Sequence, residues 1–234
     1  MHIFRSAAAF VGTCAVAVAI GSPVASAQSG CADLRGVVGP DQICRVHIQN
    51  PAYTVDLSFP NDYPDQQSLV KYLTQSRDGF VNVAQDPDAY NLPYELDADG
   101  VGYRSGSLLP GNGTRSVVFT TYQNVGGAHP QTYYQAFNWN LATNAPITFD
   151  SLFKPGTKPL DVIYPAVNRY LTEQQGLIDA IPSSAGLDSA NYQNFALTDD
   201  TLLFFFSQGQ MFAESAGPVQ ASVPRALVAP MLAL

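Results

Sequence analysis

The stretch ICRVHIQNPAYTVDLSF, residues 43–59, reads as two strands broken at Asn50-Pro51. Cys44, Val46 and Ile48 alternate with Arg45, His47 and Gln49, and after the break Tyr53, Val55, Leu57 and Phe59 alternate with Thr54, Asp56 and Ser58. Successive side chains of a strand point to opposite faces, so period two over this length predicts half-buried strands with an apolar and a polar face.

Working outward, NDYPDQQ interrupts the alternation and puts Asp65 where a helix N-cap belongs. Leu69, Tyr72, Leu73, Phe80 and Val83 follow at helical spacing, which predicts an amphipathic helix from Gln66 to about Ala84. From Tyr90 to Asn140 the pattern is strand-like: PYELDAD, VGYRSGS, RSVVFTTYQN and QTYYQAFNWN, punctuated by LPGNG and NVGGAHP. Aromatic rings occupy both faces of YYQAFNWN, with Tyr134 opposite Tyr133, Phe137 and Trp139; either a binding surface or contact with another element accounts for the second face. A second helix is expected over Pro159 to Gln175, with Pro165 kinking it or marking its first turn. The tail returns to strands in NYQNFAL, LLFFF and PVQASVP, and the TDD turn predicts a hairpin. Five consecutive apolar residues make LLFFF a central strand buried on both faces, expected to pack against the Gln66–Ala84 helix. The grouping of these elements predicts an α+β domain: a mostly antiparallel sheet packed by two helices.

The N-terminus carries Arg5, an apolar run from Ala7 to Ile20, and then Ala25-Ser26-Ala27. That is the form of a signal peptide over residues 1–27, cleaved after Ala27 to leave 28–234 as the secreted domain. The run is shorter than the ~20 residues that span a bilayer, so no transmembrane anchor is expected. Cleavage removes Cys14 and leaves Cys31 and Cys44, an even count that an oxidising compartment pairs as a disulfide. The full chain has net charge −8 with 13% charged residues, and losing Arg5 makes it one unit more negative. No basic stripe offsets this, which argues against nucleic acid as a partner.

A resemblance covers the whole mature chain. PAYTVDLSFPNDYPDQQSLVKYLTQSRDGF, YQNVGGAHP, YQAFNWNLATNAPITFDSLF and AGLDSANYQNFA resemble the mycobacterial major secreted immunogenic protein and its paralogues, and the early Cys pair matches too. The tail, from the aromatic hairpin Phe195–Phe206 through Ala216-Gly217 to Val223-Pro224-Arg225, is similar to the RsiV-like exported domain. One branch of that family is the outer part of a lysozyme-sensing anti-sigma factor. The resemblance implies a single domain with a β-grasp-like sheet, export as an antigen, and an extracellular or cell-wall location. One paralogue is considered an esterase, while the family at large has no agreed activity.

Chemistry is constrained by histidine. Of three, His2 leaves with the signal, so His47 and His129 remain. Two histidines are few for a zinc site once both cysteines are bridged, and no metal or cofactor is expected. Any Ser-His-Asp hydrolysis must use one of the two as base. His47 stands on a strand face, where the plain reading is solvation. His129 stands in Gly-Gly-Ala-His-Pro, where glycines permit close approach, although a turn histidine capping a backbone group is the commoner use. No Gly-x-Ser-x-Gly elbow exists. The remaining nucleophile candidates are Ser151, beside Asp150, and Ser207; each also fits a cap or turn, as do Asp199 and Asp200. Two functions follow: an extracellular binding module for a protein partner, or an esterase for short acyl esters with His129 as base and Asp150 and Ser151 as candidates. The chain is expected to be a monomer.

Overall fold

The computed structural model describes residues 30–106, 112–177 and 181–234. The signal peptide and its cleavage site lie outside the described residues.

Two layers of sheet and two long helices make up one mixed α/β unit. The chain opens with a helical turn α1 (Gly30–Asp33), then β1 (Val37–Val38), β2 (Ile43–Asn50) and β3 (Tyr53–Pro60). Next come α2 (Gln66–Ala84), β4 (Tyr94–Ser105), β5 (Thr114–Asn124), β6 (Gln131–Asn140) and β7 (Ala145–Pro146). These seven strands form one sheet in sequential order. The pairings are antiparallel except β3 with β4, which run parallel because α2 crosses over between them.

α2 begins at Asp65, whose carboxylate accepts from the Ser68 amide at 3.2 Å. Leu69, Leu73 and Phe80 are buried with Val55, Leu57, Phe59, Leu96, Val117 and Phe119, the inward residues of β3, β4 and β5. Cys31 and Cys44 close the same core as a disulfide with Cα atoms 5.5 Å apart, tying α1 to β2.

The C-terminal part builds the second layer. A turn α3 (Phe149–Leu152) leads to α4 (Leu160–Gln174), a turn α5 (Ser183–Gly186), and strands β8 (Phe195–Leu197), β9 (Thr201–Phe206) and β10 (Val219–Pro224) before a final turn α6 (Arg225–Val228). The order is β10-β9-β8, antiparallel throughout, so LLFFF is indeed a central strand and the Asp199-Asp200 hairpin forms. Its packing corrects the sequence expectation. Phe204 and Phe206 bury against α4 residues Ile163, Val167 and Leu171, not against α2. Phe205 and Leu203 point the other way, onto Val118, Tyr103, Tyr134 and Ala136 of the large sheet. The run is apolar because each face meets a different layer. Tyr134, the outward ring of β6, is used for that contact, with its centroid 5.3 Å from that of Phe205.

The second layer also closes the edge of β6. Asn194 Oδ1 accepts from the Ala136 amide at 2.9 Å and its Nδ2 donates to the Tyr134 carbonyl at 3.0 Å. The Tyr134 amide donates to Ser207 Oγ at 3.0 Å, and the Thr132 amide to Gln208 Oε1 at 3.1 Å. Edge amides that would otherwise face water are thus paired by side chains.

Candidate functional site

Three places hold the chemistry-bearing residues. The first is the β5–β6 turn. Gly126 there has φ +70°, and a Cβ would come 2.8 Å from the Tyr90 carbonyl oxygen, so the turn requires glycine. This shapes the loop that carries His129. Its Nε2 lies 3.6 Å from Glu214 Oε2, with both side chains more than half exposed. His129 lines an open cavity of about 310 Å³ with Val125, Ala128 and Tyr133. Burial pushes the Tyr133 hydroxyl up to about 12, so it stays protonated near neutrality.

The second place holds Asp150 and Ser151, in the turn α3. Ser151 is half of a capping box: its amide donates to Thr148 Oγ1 at 3.2 Å, and the Thr148 amide donates to Ser151 Oγ at 2.9 Å. Asp150 lines a separate cavity of about 590 Å³ with Phe149, Phe153, Lys154, Lys158 and Leu187. Among the described residues, no hydrogen bond or ion pair joins His129 to Asp150 or Ser151. The remaining sequence candidates have structural partners. Ser207 accepts from the β6 edge, and Asp199 Oδ1 accepts from the Gly106 amide at 2.6 Å.

The third place is the strand face that the sequence reads as solvated. The β2-β3-β4 register sets Arg45, Ser58 and Asp99 in one cross-strand row and His47, Asp56 and Asp97 in the next. All six lie opposite the α2 face. His47 Nδ1 and Asp56 Oδ1 are 2.6 Å apart, and Ser58 Oγ donates to Asp99. Arg45 is held by Asp41 in a bidentate pair at 3.0 and 2.6 Å. The hydrogen bond to the Asp56 carboxylate raises the His47 imidazole above its ordinary 6.5. Partial burial, then the neighbouring Asp56, Asp99 and Glu95, raises the Asp97 carboxyl. The missed signal was pairing, not composition. His47 and Asp56 are nine residues apart in sequence, and only a tight two-residue connection makes them face each other.

A family model described as a protein of unknown function, DUF3298, matches residues 150–226. Esterase Rv3036c of Mycobacterium tuberculosis is 53% identical over 214 residues, covering 92% of this chain and 93% of that protein. Immunogenic protein MPT64 of the same organism is 42% identical over 233 residues, covering 100% of this chain and 99% of that protein. A crystal structure of a DUF3298 family protein from Pseudomonas aeruginosa superposes with TM-score 0.56 at 11% identity, covering 83% of this chain and 95% of that one. That likeness shows the fold alone. No helix among the described residues is long and apolar enough to cross a membrane.

Proposed function

The chain belongs to the family of the mycobacterial immunogenic protein MPT64, and on that premise we propose that it is an exported, slow esterase acting on short acyl esters. The observation that carries the reading is the 2.6 Å hydrogen bond between His47 Nδ1 and Asp56. A carboxylate on Nδ1 fixes the tautomer that leaves Nε2 free to accept a proton. The esterase name of the 53% identical relative supports the same reaction class.

Ser58 supplies the hydroxyl. It sits two residues from Asp56 on the same face and diagonal to His47, a spacing of ~7–8 Å between backbones that side chains can close. Its hydroxyl now donates to Asp99, and the reaction requires it to turn from there toward His47. In the reaction, Oγ bonds to the ester carbonyl carbon as its proton passes to His47 Nε2. The C–O bond then breaks and the leaving alkoxide takes that proton. Water repeats the sequence on the acyl-serine and releases the acid. Arg45, directly opposite Ser58, offers positive charge to the developing oxyanion. Asp97 and Asp99 oppose negative charge there, which keeps turnover slow. The His47 and Asp56 side chains are more than half exposed, an open face that suits a short acyl group.

Purified protein and p-nitrophenyl acetate test this. His47→Ala and Ser58→Ala should each lower kcat/KM by about a hundredfold or more, the range of a positioned general base. His129→Ala should change it less than tenfold. The reverse ranking would return the base to His129. A second reading, an extracellular binding module, rests on the His129 cavity, where the imidazole has Glu214 beside it and no serine among the lining residues. Absence of turnover in the wild type would leave that reading in place.

A further inference from the structure

Arg104 of β4 and Arg115 of β5 are direct cross-strand partners, so two guanidiniums leave the same face of the sheet side by side. Like charges so placed destabilise a strand pair. Among the described residues neither arginine is ion-paired. Among the described residues Arg115 gives one side-chain hydrogen bond, from Nη1 to the Thr114 carbonyl at 3.0 Å. Both line a cleft of about 240 Å³ with Asp62, Tyr63, Tyr103 and Ser116. Two guanidiniums and one carboxylate leave the cleft net positive in a chain of net charge −8. Trp139 stands opposite Arg115 on β6, and its indole Nε1 is buried without a hydrogen-bond partner. The row Arg104–Arg115–Trp139 therefore carries unspent donors and positive charge together.

We propose that this cleft binds a compact oxyanion, a carboxylate or phosphate group on a larger ligand, held between the forks of Arg104 and Arg115. Planar guanidiniums match both groups with paired N–H donors. The bound anion also removes the like-charge repulsion, which accounts for two arginines where a strand pair ordinarily sets opposite charges. Arg104 and Arg115 alternate with the residues of the His47 face, so the site lies across the sheet from the proposed esterase centre and stands independently of it.

The test is thermal unfolding of the full chain at constant ionic strength, with sodium chloride replaced stepwise by sodium phosphate or, separately, sodium acetate. At several times Kd the wild type should gain about 2–4 °C. A gain in phosphate alone assigns a phosphate group, in acetate alone a carboxylate, and in both the shared chemistry. Arg104→Gln with Arg115→Gln should lose the gain and, in chloride, melt no lower than the wild type. A wild type indifferent to both anions, or a double variant that responds equally, overturns the site. If the double variant melts lower in chloride, Arg115→Lys decides. It keeps the charge without the fork, and an undiminished response from it also overturns the proposal.

Discussion

Along the outward face of β4, Glu95, Asp97 and Asp99 occupy one end and Val101 and Tyr103 the other. The apolar end, with Val118 and Ala136 on the neighbouring strands, is where the C-terminal sheet docks through Phe205 and Leu203. The polar end, with His47, Asp56 and Ser58 beside it, is left open. One strand thus writes both where the second layer sits and where the sheet remains available to a substrate. Covering requires apolar pairs in register across three strands. The charged rows of β2, β3 and β4 could not be covered without desolvating several carboxylates, at several kcal/mol for each unpaired charge.

The covered end should dominate stability. Phe205 is 2% exposed and packs between Tyr103 and Tyr134, with centroids 5.9 and 5.3 Å away. Phe205→Ala should cost ~3–5 kcal/mol in denaturant unfolding. A loss under about 1 kcal/mol would mean that the two layers do not depend on this contact and would erase the contrast between the two ends.

The open end rests on the other core, where a disulfide ties α1 to β2. Replacing both Cys31 and Cys44 by Ser should cost about 3 kcal/mol, the chain-entropy value for a short closed loop. The effect should appear as a lower melting temperature, and a reduced wild type should match it. An unchanged melting temperature would show that α1 and β2 hold together without the bridge.

Much of this was legible in the sequence for local reasons. Alternation in residues 43–59, the Asp65 cap and the spacing of Leu69, Leu73 and Phe80 each act within one element, and the elements follow them. The partner of LLFFF was not legible. A continuous apolar run says that both faces are covered but not by what, and the helix it meets is α4, not the α2 expected from the sequence. The parallel joint of β3 and β4 was likewise hidden, because it depends on where the crossover returns. The His129, Asp150 and Ser151 candidates came from loop and cap chemistry, which is the chemistry the structure uses for Ser151. The His47–Asp56 pair needed register, and register appears only when strands are laid side by side.

Between the two histidines the contrast becomes kinetic. If the open face is catalytic, Asp56→Asn should lower ester kcat/KM by roughly tenfold or more, because the base loses the group that fixes its tautomer. Glu214→Gln, the same change beside His129, should alter it less than tenfold. Matching losses from both variants would break the assignment of the base to His47.

The smallest effect is the most specific. The hydrogen bond that His47 donates to Asp56 favours the charged imidazole and so raises the His47 pKa above 6.5. The base must be neutral to act, so ester hydrolysis should climb with pH through a midpoint above 6.5, not at it. Stability runs the opposite way. A group whose pKa is raised on folding stabilises the native state while protonated in both states, below about 6.5, and that contribution is lost as pH rises through the native pKa. His47 and Asp56 side chains are 60% and 51% exposed, so the change in melting temperature should be slight and should shrink further in salt. Proton NMR of the His47 and His129 imidazoles reads the cause directly. The His47 ring should titrate above 6.5, and Asp56→Asn should bring it back toward that value while leaving the His129 curve in place. A His47 ring that titrates at or below 6.5 in the wild type would show that the 2.6 Å pair does not hold the imidazole in solution, and the open end of the sheet would lose its base.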